Sequence, residues 1–211
     1  MKQIYNVIKA SNSAHGSDST LLTALAKHAH SIIACYGAMI QSCTHDATQG
    51  QQGEQDPWTR DGIPNIPQQQ VLAQLGAIGL TMRFLDEILQ GPCASITDHW
   101  SNKAITLMFR FLRQVVKANN VREHVALLEE HLSFLYKHLN SDFKVVDTLS
   151  ELIADNPKLL QERCTPEFVS TITECMIRQH EEKLCGARFV NMLRIMCSRD
   201  GALPRAVALF D

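Results

Sequence analysis

The chain has 211 residues, 45% of them apolar and 20% charged, enough length to bury a core without metal or disulfide staples. Its 20 Lys and Arg stand against 22 Asp and Glu, a formal charge of −2, which argues against a nucleic-acid arm or a polybasic membrane anchor. No apolar run approaches the roughly 18 to 20 residues that span a bilayer, residues 1–10 lack the apolar core of a signal peptide, and the seven scattered cysteines suit free thiols in a reducing compartment.

In chain order, the pattern is helical almost throughout. Residues 18–42 carry Leu21, Leu22, Leu25, Ile32, Ile33, Tyr36, Met39 and Ile40 at helical spacing, with Asp18 or Ser19 as the cap. From Cys43 to Pro67 the composition changes: Gly50, Gly53, Gly62, Pro57, Pro64 and Pro67 are interleaved with polar residues and no period survives, the mark of a mobile or inserted segment. Helices are then expected over 68–75 and 77–90, separated by Gly76 and stopped by Gly91-Pro92. Asp98 caps a further helix running to Lys117, Asn119-Asn120 breaks it, and another is expected from Val121 to about His138, closed by Asn140.

The remaining third repeats itself. Val145, Val146, Leu149, Leu152 and Ile153 sit at i, i+1, i+4, i+7 and i+8; Phe168, Val169, Ile172, Cys175 and Met176 have the same spacing 23 residues later, and Phe189, Val190, Leu193, Met196 and Cys197 have it again 21 residues after that. Each set is one apolar stripe on one helix. Asp142 stands ahead of the first, Thr165-Pro166 opens the second in the cap-then-proline order, and Gly186 precedes the third. Helices this short are not stable alone, so each stripe must pack on its neighbours. The predicted fold is therefore all-α, an armadillo-like helical solenoid of stacked short helices, with a compact irregular bundle as the alternative. The organisation expected is an N-terminal helix with its Gly/Pro/Gln-rich loop over residues 1–67 and the helical domain over 68–211.

Signs of chemistry are sparse. His124, His131 and His138 recur every seven residues, about 10.5 Å along a helix axis and too far for one metal; a polar edge beside Leu128, Leu132 and Leu135 explains them better. His28 and His30 cannot face the same way on a helix. The cysteines make no C-x-x-C, and Cys175, Cys185 and Cys197 lie on or beside apolar stripes, where a thiol packs as a small hydrophobe. No phosphate-binding Gly-rich loop occurs, and Glu129-Glu130 and Glu181-Glu182 are adjacent acids on solvated faces, not convergent ones. Neither a catalytic residue, a metal nor a cofactor is expected. One charged constellation is a candidate for binding a ligand or partner: Arg110, Arg113 and Lys117 at i, i+3 and i+7, followed by Arg122 at the start of the next expected helix. Such a stripe suits a phosphate or an acidic segment; the plainer reading is a solvated face paired with Glu123 or Asp98.

Several stretches carry a resemblance. Phe109-Arg-Phe-Leu followed by Val121-Arg-Glu-His-Val-Ala-Leu-Leu-Glu-Glu-His-Leu-Ser-Phe-Leu, then Val146-Asp-Thr-Leu-Ser-Glu-Leu-Ile-Ala-Asp-Asn-Pro-Lys-Leu-Leu-Gln, then Arg188-Phe-Val-Asn-Met-Leu-Arg-Ile-Met-Cys, resemble in order and spacing the homology domain shared by ryanodine and inositol trisphosphate receptors. The similar region runs from about Gln68 to Asp211.

The resemblance implies an armadillo-like module from the cytoplasmic part of a calcium-release channel in the endoplasmic reticulum or another intracellular calcium store, with neighbouring domains or subunits of that channel, or other proteins, as partners. Neither nucleic-acid binding nor membrane insertion of this chain itself is implied. In inositol trisphosphate receptors the corresponding helices supply basic residues to the ligand pocket. Arg122 falls on one of these, but Glu123 stands where a Lys is expected, and nothing between Arg60 and Arg83 is basic. Replacing that Lys by Glu turns attraction into repulsion for a trianion, so inositol trisphosphate binding by this chain is not expected. The alternative to a scaffold is an adaptor that binds an inositol phosphate, another anion or a peptide. The end at Leu203-Pro204 to Asp211 lacks the polar cap of a terminal repeat, which is expected of a piece of a longer solenoid.

Overall fold

The computed structural model describes residues 19–45, 56–58, 62–89, 98–118, 130–141, 143–154, 156, 159, 161–162, 165–181 and 187–197. The fold class is all-α, consistent with the armadillo-like solenoid that the sequence predicts. Among the described residues the strand content is one antiparallel pair of two-residue strands. The chain forms two compact units, Met1–Val115 and Val116–Asp211, so the first helix and the helices beyond residue 67 share one unit.

In the first unit, α1 (Ser19–Ser42) buries Leu25, Ala29, Ile32, Tyr36 and Ile40, a single stripe at three- and four-residue steps. Its end turns into β1 (Thr44–His45), which pairs with β2 (Ile63–Pro64) in the register Thr44 to Pro64 and His45 to Ile63. Gly62 allows this approach, because a Cβ there would collide with the His45 carbonyl oxygen. Asn65 then caps α2 (Ile66–Gln74), its side-chain oxygen accepting the Gln68 N–H with Pro67 in the first turn. Gly76, at φ +76°, makes the left-handed turn into α3 (Ala77–Leu89).

The last helix of the unit, α4 (His99–Val116), starts on Asp98, whose carboxylate accepts both the Ser101 N–H (2.7 Å) and the Ser101 hydroxyl (2.8 Å). Those two bonds hold the exposed Asp98 carboxyl below its ordinary pKa. Beyond its first turn α4 is covered on nearly every side: Ala104, Ile105, Leu107, Met108, Phe109, Phe111, Leu112, Val115 and Val116 are buried, and so are Arg110 and Gln114. Polar groups tie this core together. Thr81 donates to the Ala77 carbonyl at 2.7 Å; its single proton is thereby committed, so in the 2.9 Å contact between Tyr36 and Thr81 the tyrosine is the donor. The Tyr36 ring also meets Phe111 edge-on at 5.6 Å, so one side chain of α1 touches both α3 and α4.

The segment from Cys43 to Pro67 departs from the mobile or inserted reading wherever it is described. Besides the strand pair, the Asn65 N–H donates to the Cys43 carbonyl at 2.7 Å, and Asp56–Trp58 forms a turn in which the Trp58 N–H donates to Asp56 Oδ1 at 3.0 Å. Apart from the local Asp56–Trp58 bond, these ties join residues well separated in sequence, which local periodicity does not register.

In the second unit the expected helix from Val121 to His138 does not run through its described part. Glu130 and His131 form a turn, and only α5 (Leu132–Lys137) is helical. His131 leaves helical geometry at φ −107°, ψ 11°, without a side-chain cap. Next, α6 (Val145–Ala154) buries all five residues of its predicted stripe together with Thr148 and Ser150. In α7 (Pro166–Glu181) the Thr165 hydroxyl accepts the Phe168 N–H at 3.3 Å, as the cap-then-proline order predicts; Phe168, Ile172 and Cys175 are buried, while Val169 and Met176 are half-buried.

The third stripe needs correcting. In α8 (Ala187–Cys197) the buried residues are Phe189, Met192 and Met196, whereas Val190 is 55% exposed and Cys197 is exposed. The helix packs against α6 and turns inward the face centred on Met192, so the edge of the repeat that carries Val190 and Cys197 faces out. Tyr136 stacks on Phe168 at 4.6 Å, joining α5 to α7, and Arg188 reaches Asp147 at 3.7 Å, an exposed pair of small energetic weight.

Burial sets a pH limit on the first unit. Desolvation pushes the Cys43 thiol from 9.0 up to about 12. Between those values the unfolded chain has released the proton and the folded chain still holds it, so rising pH favours unfolding. Urea unfolding from pH 8 to 11 should therefore show stability falling above about pH 9, and Cys43→Ala should flatten the fall. An unchanged slope in that variant would remove the assignment to Cys43.

Candidate partner-binding surface

Of the basic residues proposed from sequence, the structure describes Arg110, Arg113 and Lys117; Arg122 lies outside the described residues. The three share α4 and its end but not one environment. Arg110 is only 8% exposed, and its Nε–H donates to the Pro57 carbonyl at 2.7 Å, 53 positions away. Arg113 is half-buried in the last turn of α4, and Lys117 is half-buried in the turn that follows, where Ala118 takes φ +51°. Both have contacts of their own. The i, i+3, i+7 spacing thus gives a stripe whose first member points into the fold and holds a turn, while the other two lie nearer the surface.

Arg110 explains why the Asp56–Trp58 turn docks. A guanidinium inside a helical core needs a strong acceptor, and a backbone carbonyl in a turn supplies one that no helix hydrogen bond uses. Pro57 meanwhile rests on α1 at Gly37, where an added Cβ would stand 3.3 Å from its Cγ. One turn further along α4 the Gln69 amide donates to the Gln114 carbonyl at 2.8 Å, and that carbonyl belongs to the last turn, where helix carbonyls lack an intrahelical partner.

The turn places Trp58 beside α4, and this produces an aromatic-cationic group that sequence reasoning missed. Lys103 Nζ lies 4.9 Å from the Trp100 ring centroid and 5.9 Å from that of Trp58. His30 of α1 stacks on Trp100 at 4.2 Å, and His99 approaches it edge-on at 5.5 Å. Trp100 remains 41% exposed. A partial signal was present in the i, i+3 spacing of Trp100 and Lys103; nothing local brings Trp58 or His30 to them.

The histidines and cysteines give no centre for chemistry among the described residues. His124 lies outside them, His131 is half-buried in the turn before α5, and His138 is buried at the end of α5, 4.7 Å from the Phe134 ring. No group of three His, Cys, Asp or Glu is placed to hold a metal among the described residues. Cys43 and Cys175 are buried free thiols, and burial raises the pKa of Cys175 as well, the opposite of what a nucleophilic thiolate requires.

The helical order, the repeat and these contacts accompany a direct match to a family. A model of the RIH domain, the homology domain of ryanodine and inositol trisphosphate receptors, matches residues 38–205. The chain belongs to that family and is a module of the ryanodine and inositol trisphosphate receptor kind. The match begins inside α1, ahead of the stretch from Gln68 on which the sequence resemblance rests. A search of curated proteins found no match.

The role of Arg110 as an internal tie predicts a defined outcome. Arg110→Met keeps the apolar stem and removes the bond to Pro57, and should cost about 1.5–3 kcal/mol in urea unfolding. Acrylamide should also quench the tryptophans more readily once the turn is released. Unchanged stability and quenching would show that Arg110 does not hold the turn.

Proposed function

We propose that this chain is a non-catalytic helical scaffold from the cytoplasmic part of an inositol trisphosphate or ryanodine receptor-like calcium-release channel, and that it relays conformational change between neighbouring domains. The observation that carries this reading is the family match over residues 38–205. The RIH domain is a regulatory, non-enzymatic part of such channels, and helical repeats present extended faces to their partners. The parent channel would lie in the endoplasmic reticulum or another calcium-store membrane, with this module on the cytoplasmic side. No helix among the described residues is long and apolar enough to cross a membrane, so attachment would fall to other segments of the parent.

Within that reading, Arg113, Lys117 and Arg122 are the residues we assign to a partner contact, while Arg110 serves as the internal tie of the first unit. Inositol trisphosphate is not the ligand we propose, because Glu123 opposes a trianion beside Arg122.

The test is the size and location of the native protein. An immunoblot of membrane and soluble fractions, with an antibody raised against this chain, should give a membrane-bound band many times larger than 211 residues account for. A soluble band of about the size of this chain would contradict the channel reading and favour a free-standing adaptor.

A further inference from the structure

Of the seven prolines in the chain, only Pro166 follows a Ser or Thr. The cap-then-proline order explains why α7 begins there, and it also leaves an alcohol in a setting that no other position shares. Thr165, Pro166 and Glu167 are all exposed, and Thr165 stands outside the helix that it caps. Every other exposed Ser or Thr among the described residues lies inside a helix: Thr23 and Ser31 in α1, Ser133 in α5, and Ser170, Thr171 and Thr173 in α7. Thr171 and Thr173 also commit their protons to carbonyls four residues back, each at 2.9 Å.

That difference bears on phosphoryl transfer. A protein kinase moves the γ-phosphoryl group of MgATP to a hydroxyl that it positions in its cleft, and the segment laid there is extended, not helical. A residue that precedes proline is held to extended or polyproline geometry, and a helix cap is non-helical, so the backbone at Thr165 suits such a cleft. Proline adds selectivity. It has no N–H, so a cleft without an acceptor at that position takes Thr-Pro, whereas any other residue there buries an unpaired donor.

We propose that Thr165 is a phosphorylation site for a proline-directed Ser/Thr kinase. In the transfer the kinase's catalytic carboxylate accepts the Thr165 hydroxyl proton, Oγ bonds to the γ-phosphorus of MgATP, and the bond to the bridging oxygen breaks to release ADP. The fold accommodates the product, because the added group enters water and displaces no core residue. Before modification the Thr165 oxygen accepts the Phe168 N–H at 3.3 Å, and its proton is shared with the Glu167 carboxylate, which holds that carboxyl below its usual range. Esterification removes the proton and sets a charge of about −1.5 to −2 beside Glu167, so that carboxylate turns away. With Glu162 and Glu167 also exposed, a neutral cap becomes an acidic patch, and the second unit gains a charge switch confined to one helix start.

To test this, the folded 211-residue chain is incubated with MgATP and a proline-directed kinase of the mitogen-activated class, and tandem mass spectrometry locates the phosphate. Incorporation at Thr165 is expected. Pro166→Ala keeps the Thr165 cap and should lower the initial rate at least about tenfold, and Thr165→Val should abolish modification at this position. Circular dichroism shows which variants are folded; if either is not, site mapping on the unaltered chain decides. The same mapping on the endogenous protein, recovered from cells held in a phosphatase inhibitor, should find Thr165 modified. Absence of phosphate from Thr165 in either preparation, modification of a peptide of residues 158–172 but not of the folded chain, or an unchanged rate in folded Pro166→Ala would overturn the inference. None of these outcomes depends on the native size of the protein, so the site and the channel reading can fail separately.

Discussion

A helix buried on nearly every side sets the terms for the first unit. α4 carries polar groups into a region with little water, and an unsatisfied buried donor or acceptor costs about 1–3 kcal/mol. Each tie that satisfies one also places another element. Gln69 bonds the Gln114 carbonyl and so fixes α2 against the end of α4. Arg110 bonds the Pro57 carbonyl and so fixes the Asp56–Trp58 turn. Ser101 bonds Asp98 and fixes where α4 begins. Tyr36, donating to Thr81 and lying edge-on to Phe111, sets α1 against α3 and α4 together. Apolar contact alone tolerates sliding, whereas directional bonds specify a register.

Local signals explain what was legible in the sequence. The Asp98 and Thr165 caps, the Gly76 break and the stripe of α6 each depend on residues a few positions apart, and each stands where the pattern put it. What was not legible spans longer separations. Tyr36 and Thr81 are 45 positions apart, as are Gln69 and Gln114. The same cause accounts for the errors. The stripe of α8 was read with Val190 and Cys197 inward, but the partner face of α6 selects the side centred on Met192. Arg110 was read as part of a surface stripe, a candidate for binding or a solvated face, because helical spacing shows which residues share a face, not whether that face is covered. The Gly and Pro content of residues 43–67 announced turns, yet docking depends on acceptors such as the Pro57 carbonyl, which every residue carries and no composition reveals.

The consequence for function is a division of labour among the charged residues. A cation inside the fold organises the turn, and other cations lie nearer the surface. Arg110 belongs to the first kind, and Lys103, whose ammonium lies near both indole rings, to the second. The two are coupled, since the turn that Arg110 holds is the one that brings Trp58 to Lys103.

Hydrogen exchange followed by mass spectrometry tests the organising role of α4 most directly, because slow exchange marks the segments that open only with the whole unit. If the polar ties around α4 organise the first unit, amides in α4 and α3 should exchange most slowly there, and Tyr36→Phe should speed both helices together. Exchange in α4 as fast as at the exposed ends of α2, or a Tyr36→Phe effect confined to α1, would contradict the account.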